Sequence, residues 1–133
     1  MNDPQDMPNL SGAQMEIMNI VWDQPETTLG DIWRELQDKR QIARNTVQTL
    51  LTRLVEKGWL TYRAEGKVFH YRATVSRQPT MKHVVSRLVE TAFNGSAEGL
   101  VMALLDGQEL QKDEADRIRA LIEKAQKSQG ENR

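Results

Sequence analysis

The chain has 133 residues, of which 38% are hydrophobic and 28% charged, and a formal net charge of −1; that is enough for one small domain and a lesser second unit. It contains no cysteine, which excludes a disulfide framework, thiol catalysis and a cysteine-based metal site and suits a reducing cytosol. The opening MNDPQDMPNL is acidic and polar, unlike a signal peptide, and the longest apolar run, residues 100–105, falls far short of the ~20 residues of a membrane span, so a cytoplasmic protein without membrane insertion is expected.

Residues 1–10 carry two prolines and little to bury, which predicts a flexible N-terminus. Ser11 offers an N-cap, and Gln14 completes a capping box. The helix it opens runs to Trp22 on Met15, Ile17, Met18 and Val21, and Gln24-Pro25 stops it. Thr28 caps a second helix, to Asp38, with Leu29, Ile32, Trp33 and Leu36 turned inward. A short polar link, residues 39–42, leads into ARNTVQTLLTRLVEKGWL. There Val47, Leu50, Leu51, Leu54 and Val55 recur at helical spacing and share one face. Gly58 follows as a helix-ending glycine.

Beyond Gly58 the period falls to two. Residues 59–62 read as a strand, 63–67 as a turn and 68–73 as a second strand. Three helices followed by a hairpin are the order of a winged helix-turn-helix. A second unit follows. Pro79 suits a helix start at Thr80, and Asn94-Gly95-Ser96 ends that helix. Residues 97–105 form a short apolar helix, and residues 112–127 a last amphipathic one. The expected fold is therefore mainly α. Residues 11–76 make the DNA-binding winged helix, residues 77–127 a small all-α dimerisation domain, and residues 128–133 a polar tail.

The three later helices total about 45 residues, marginal for an independent core. Either a second copy of the chain or the winged helix of the same chain supplies the missing cover. The homodimer is the reading adopted, with Met81, Val84, Val85, Leu88, Leu100, Val101, Leu104, Ile118, Leu121 and Ile122 as its seam.

The near-neutral total hides an asymmetry. Residues 1–38 hold eight acids and one base, Arg34, a charge of −7; residues 39–77 hold nine bases and two acids, a charge of +7. Such a concentration points to a polyanion partner, double-stranded DNA first. The other reading is that the acidic third folds onto the basic one and neutralises it.

The polar face of the third helix sharpens the choice. It carries Arg44, Asn45, Thr46, Gln48, Thr49, Thr52 and Arg53, with no acid before Glu56. In a helix-turn-helix the second helix enters the major groove with its N-terminal residues against base edges. Gln or Asn bonds adenine, Arg bonds guanine, and a threonine methyl meets that of thymine. Arg44, Asn45, Thr46, Gln48 and Thr49 are thus the candidate base readers. Thr52 and Arg53, with Arg63 and Lys67 flanking the wing tip, are the candidate phosphate contacts. A merely solvated helix face is the plainer alternative. Arg72 has a second reading, as the partner of an acid in the same domain.

The aromatic residues sit within apolar patterns and read mostly as core rather than as a stacking platform. His70 and His83 lie on separate elements, so no metal site and no cofactor are expected. No phosphate loop, nucleophile elbow or zinc-protease motif occurs, so no enzyme is expected.

On these residues the chain resembles the penicillinase-repressor family (BlaI/MecI/CopY type). The resemblance covers residues 10–127 through LSGAQMEIMNIVWDQ, TTLGDIW, NTVQTLLTRLVEKGWL with GKVFHYRA, and NGSAEGLVMALLDGQELQKDEADRIRALI. It implies a cytoplasmic bacterial repressor, dimeric through its C-terminal helices, with each winged helix on half of a palindromic TACA/TGTA operator. It implies recognition roles for Thr46, Gln48 and Thr49 and a basic contact for Arg53. In the β-lactam-sensing branch a membrane-bound zinc metalloprotease sensor cleaves the repressor at an Asn-Phe pair. Here Ala103-Leu104 stand at that place, a departure that leaves them as the candidate cleavage position and the sensor as a candidate partner. The copper-responsive branch uses a Cys-x-Cys pair, which this chain lacks. A reading from another class is a winged helix that docks an acidic protein and binds no specific DNA.

Overall fold

The structure, a computed structural model, describes residues 3–4 and 7–131; the expected N-terminal segment and tail at residues 1, 2, 5, 6, 132 and 133 lie outside the described residues. The elements run α1 (Gly12–Trp22), α2 (Leu29–Gln37), α3 (Arg44–Glu56), β1 (Leu60–Glu65), β2 (Val68–Ala73), α4 (Arg77–Ala92), α5 (Ala97–Gly107) and α6 (Lys112–Glu131). The chain divides into two compact units, Met1–Ser86 and Arg87–Arg133. That division falls inside α4, ten residues beyond the boundary read at residue 76.

In the first unit the helix starts follow their caps. The Ser11 hydroxyl accepts from the Gln14 amide at 3.2 Å, and Gln14 Oε1 accepts from the Ser11 amide at 2.9 Å. Thr28 Oγ1 accepts from the Asp31 amide, opening α2. Helices α1, α2 and α3 bury Ile17, Met18, Ile32, Leu36, Val47, Leu51 and Leu54 together. Removing such side chains from water is the main stabilisation of the unit. The turn between α2 and α3 is fixed from within: the Ile42 carbonyl accepts from Trp33 Nε1 at 2.9 Å and from Gln37 Nε2 at 2.6 Å. Those bonds set the angle at which α3 leaves α2. Gly58 ends α3 with φ 90°, a left-handed conformation costly for any other residue.

The hairpin is longer and its turn tighter than the pattern predicts. The register pairs Leu60 with Ala73, Tyr62 with Tyr71 and Glu65 with Val68, leaving only Gly66-Lys67 as the loop. Gly66 takes φ 63°, as the mirror-image turns of two-residue hairpins require. Arg63 and Glu65, read as turn residues, instead continue the exposed face of β1. Thr27 adds a bridge to Tyr71, which ties the loop before α2 to β2.

The N-terminal segment also departs from expectation. Among its described residues Pro4 is buried, and Met7 and Leu10 pack against the core. The Pro8 carbonyl accepts from Trp59 Nε1 at 2.9 Å. Trp59 is the physical reason: a buried indole needs a partner for its N–H, and this segment provides it.

In the second unit Ser96 caps α5 by accepting from the Gly99 amide at 2.9 Å. Asn94 (φ 51°) and Gly95 (φ 84°) end α4 as the sequence predicts. Helix α4 starts at Arg77 rather than Thr80, with Pro79 inside its first turn, and α6 runs on to Glu131. Among the described residues of this unit no apolar side chain is buried. Among the described residues no helix is long and apolar enough to cross a membrane.

Candidate nucleic-acid interface

Helix α3 presents its two faces as its spacing predicts. Val47, Leu51 and Leu54 are fully buried, while Arg44, Asn45, Thr46, Gln48, Thr49, Thr52 and Arg53 are exposed. The N-cap residue, Ala43, makes no side-chain cap. Thr46 N–H turns back to the Ala43 carbonyl at 3.0 Å, so the amides of Arg44 and Asn45 are the ones left open at this helix start, and an open helix start attracts anions.

Local bonds restrict what the polar face offers. Thr49 Oγ1 donates to the Asn45 carbonyl at 3.1 Å, and Thr52 Oγ1 to the Gln48 carbonyl at 3.0 Å. With their protons used, both hydroxyls present an acceptor and a methyl group outward. Gln48 Nε2 lies 3.5 Å from Thr52 Oγ1. On its other side Gln48 comes near enough to the hydroxyl of Tyr71, a buried residue, to act on its titration. Burial pushes the Tyr71 phenol up, and Gln48 pulls the other way.

The basic residues divide into two groups. Arg40 pairs with Glu16 at 3.3 Å, Arg63 with Glu26 at 3.0 Å and Arg77 with Asp23 at 2.7 Å. To that extent the acidic third neutralises the basic one. Among the described residues Arg44, Arg53, Lys67 and Arg72 form no ion pair. Arg63, read as a wing-tip cation, sits in β1 and also bonds Glu65 at 3.2 Å. Its guanidinium holds the Glu26 carboxyl below the usual carboxylate range. His70 Nε2 lies 3.2 Å from the same Glu65 carboxylate. Arg72, read also as the partner of an acid in the same domain, forms no ion pair among the described residues.

Two aromatics leave the core reading. Tyr62 and Phe69 are 44% and 37% exposed and stack with centroids 4.2 Å apart, while Trp59 and Tyr71 are buried as expected. The signal for this was the register: with a two-residue turn, Tyr62, Phe69 and Tyr71 fall on one face of the hairpin. Glu26 and Tyr71 are the partners that reading along the chain missed, because neither is a sequence neighbour of the residue it approaches.

Of the seam residues, Met81 and Leu100 are half-buried and the other eight exposed. Ala103 and Leu104 lie within α5. Among the described residues no cluster of His, Asp and Glu is placed to hold a metal.

A three-helix core, a helix-turn-helix angle fixed at Ile42 and a hairpin wing beside α3 define a winged helix-turn-helix protein. The penicillinase repressor family model matches residues 10–124, and the chain belongs to that family, which is one of DNA-binding repressors and not of enzymes. The methicillin resistance regulatory protein MecI of Mammaliicoccus sciuri is 27% identical over 115 residues, 86% of this chain and 94% of MecI. The penicillinase repressor of Bacillus licheniformis is 25% identical over 117 residues, 88% of this chain and 91% of that protein. The solution structure of the DNA binding domain of the repressor BlaI superimposes with a TM-score of 0.51 at 30% identity, over 56% of this chain and 90% of that domain.

Proposed function

We propose that the chain is a homodimeric transcriptional repressor of the cytoplasm, whose two winged helices bind the halves of a palindromic operator of TACA/TGTA type. The observation that carries this is the face of α3: seven exposed polar residues without an acid, on a helix whose first amides are uncapped. A carboxylate there would repel the DNA backbone, whereas amides and threonines match base edges. Asn45, Thr46, Gln48 and Thr49 read bases in this account, and Thr52, Arg53 and Lys67 contact phosphate. Arg63, which already has two carboxylate partners, contributes mainly by fixing the wing.

The exposed apolar side chains of the second unit support the dimer. Val101, Leu104, Leu121 and Ile122 are each about half exposed or more. Water-exposed leucines at helical spacing are the mark of an association surface. Repression then ends by an upstream signal. Cleavage by a membrane-bound zinc metalloprotease sensor at Ala103-Leu104 would require α5 to open, because that bond lies inside the helix.

The base-reading assignment is tested by replacing Gln48 or Thr49 with Ala and measuring affinity for a TACA/TGTA palindrome and for a scrambled duplex. The palindrome should lose ~1–3 kcal/mol per lost base contact and the scrambled duplex much less. Equal losses on both would remove the base-reading role.

A further inference from the structure

Helices α1, α2 and α5 each start on a serine or threonine that caps them, and α3 does not. Its direction is set from α2 instead. Trp33 and Gln37 stand four residues apart, so they share one face of α2. Both are half-buried, and both donate to the Ile42 carbonyl, Trp33 Nε1 at 2.9 Å and Gln37 Nε2 at 2.6 Å. A carbonyl oxygen has two lone pairs, so the two donors fill it. One bond is enough to satisfy a half-buried carbonyl; a second, from another angle, also fixes which way the peptide plane faces. The next carbonyl, that of Ala43, accepts from the Thr46 and Val47 amides and opens α3. The Trp33 ring adds a further hold, since the Arg44 guanidinium carbon lies 5.9 Å from its centroid. The backbone just before α3 and the first side chain on it thus both rest on Trp33.

Gln48 stands six residues beyond Ile42, about 9 Å along a helix axis. A tilt of about 10° at Ile42 would move it by about 1.5 Å, further than a hydrogen bond to a base edge tolerates. Long lysine and arginine side chains follow a phosphate through the same tilt, because their stems turn. Loss of the angle therefore removes base reading before it removes backbone binding. We propose that Trp33 and Gln37 are positioning residues that determine sequence specificity, holding α3 at the angle where Asn45, Gln48 and Thr49 meet base edges. Neither belongs to the polar face of α3 that the DNA-binding reading uses, and the proposal rests on that reading.

The test titrates the full chain, as wild type, Gln37→Met and Trp33→Phe, against the TACA/TGTA palindrome and a scrambled duplex. Methionine keeps the length of glutamine without its donor, and phenylalanine keeps an aromatic face for Arg44 without the N–H. Each variant leaves the Ile42 carbonyl one donor, so Gln37→Met should keep Tm near that of wild type. Both variants should lose about tenfold on the palindrome, the value of one base contact, and less than about twofold on the scrambled duplex. Equal losses on both duplexes would reduce Trp33 and Gln37 to a general role in stability and overturn the proposal. Gln48→Ala supplies a readout that stability alone does not move. Made in wild type, it should cost about tenfold on the palindrome. Made in Gln37→Met, it should cost less than about twofold, because the tilted helix has already lost that contact. Factors that simply multiply would show that Gln37 and Gln48 act independently, against the proposal. If wild type prefers neither duplex, the DNA-binding reading itself falls, and the positioning role with it.

Discussion

The hydroxyl of Thr27 is buried without a hydrogen-bond partner among the described residues, although its backbone bonds Tyr71 in both directions, at 3.0 and 2.7 Å. An unpaired buried hydroxyl costs free energy, while its β-branched shape suits the bridge. Thr27→Val keeps the shape and removes the cost. It should stabilise the winged helix by about 1 kcal/mol, seen as a higher midpoint in urea unfolding; a lower midpoint would show that the hydroxyl has a partner in solution. Gln48 illustrates what a chain-order reading reaches. Its exposure on α3 followed from the apolar spacing of Val47, Leu51 and Leu54. Its approach to Tyr71, 23 positions away, did not. Arg63 is the same case: its basic character was legible, but Glu26 lies 37 residues upstream and only the folded hairpin brings the two together.

At the level of elements, caps and glycines were the most legible features. Ser11, Thr28, Gly58 and Ser96 each stand where a helix begins or ends. The wing was harder, because Arg63 and Glu65 look like turn residues when only their polarity is read. They alternate with Tyr62 and Ala64 along β1 and point to the opposite face of the hairpin, all four being exposed, so the strand continues through them. Their charges serve to hold the wing. Glu26 has its folded pKa depressed by the hydrogen bond from Arg63. A depressed carboxylate stabilises the fold above its unfolded pKa, about 4.3 for Glu, and that contribution is lost as pH falls through the lower folded value. Wild type should therefore lose wing stability in mild acid, and Glu26→Gln should lose less over the same range. Thermal unfolding between pH 3 and 6 checks this (an approximate window set by the Glu reference pKa); identical pH profiles for the two proteins would mean that the pair does not hold in solution.

Over the whole molecule, the two units differ in how far each completes itself. The first closes a core around Ile17, Leu36, Leu51 and Leu54. The second leaves Leu88, Leu104 and Leu121 exposed. That contrast was legible as a run of short amphipathic helices too small for a core of their own, but their partner is not written in the spacing of one chain. If a second copy covers them, Leu88→Asp or Leu121→Asp should sediment as a monomer and lose about a hundredfold or more in operator affinity, because the two half-sites would no longer be bound together. A variant that remains dimeric with unchanged affinity would remove these residues from the seam.

The account as a whole stands on specific DNA binding through α3. Its most direct test is a titration of the full chain against a TACA/TGTA palindrome and a scrambled duplex at two salt concentrations. The account predicts that the palindrome binds ~10³-fold or more tightly than the scrambled duplex, and that both affinities fall steeply as salt rises. Equal affinities for the two duplexes would contradict base reading by α3. The absence of binding to either would contradict DNA as the partner and leave the winged helix as a protein-docking module.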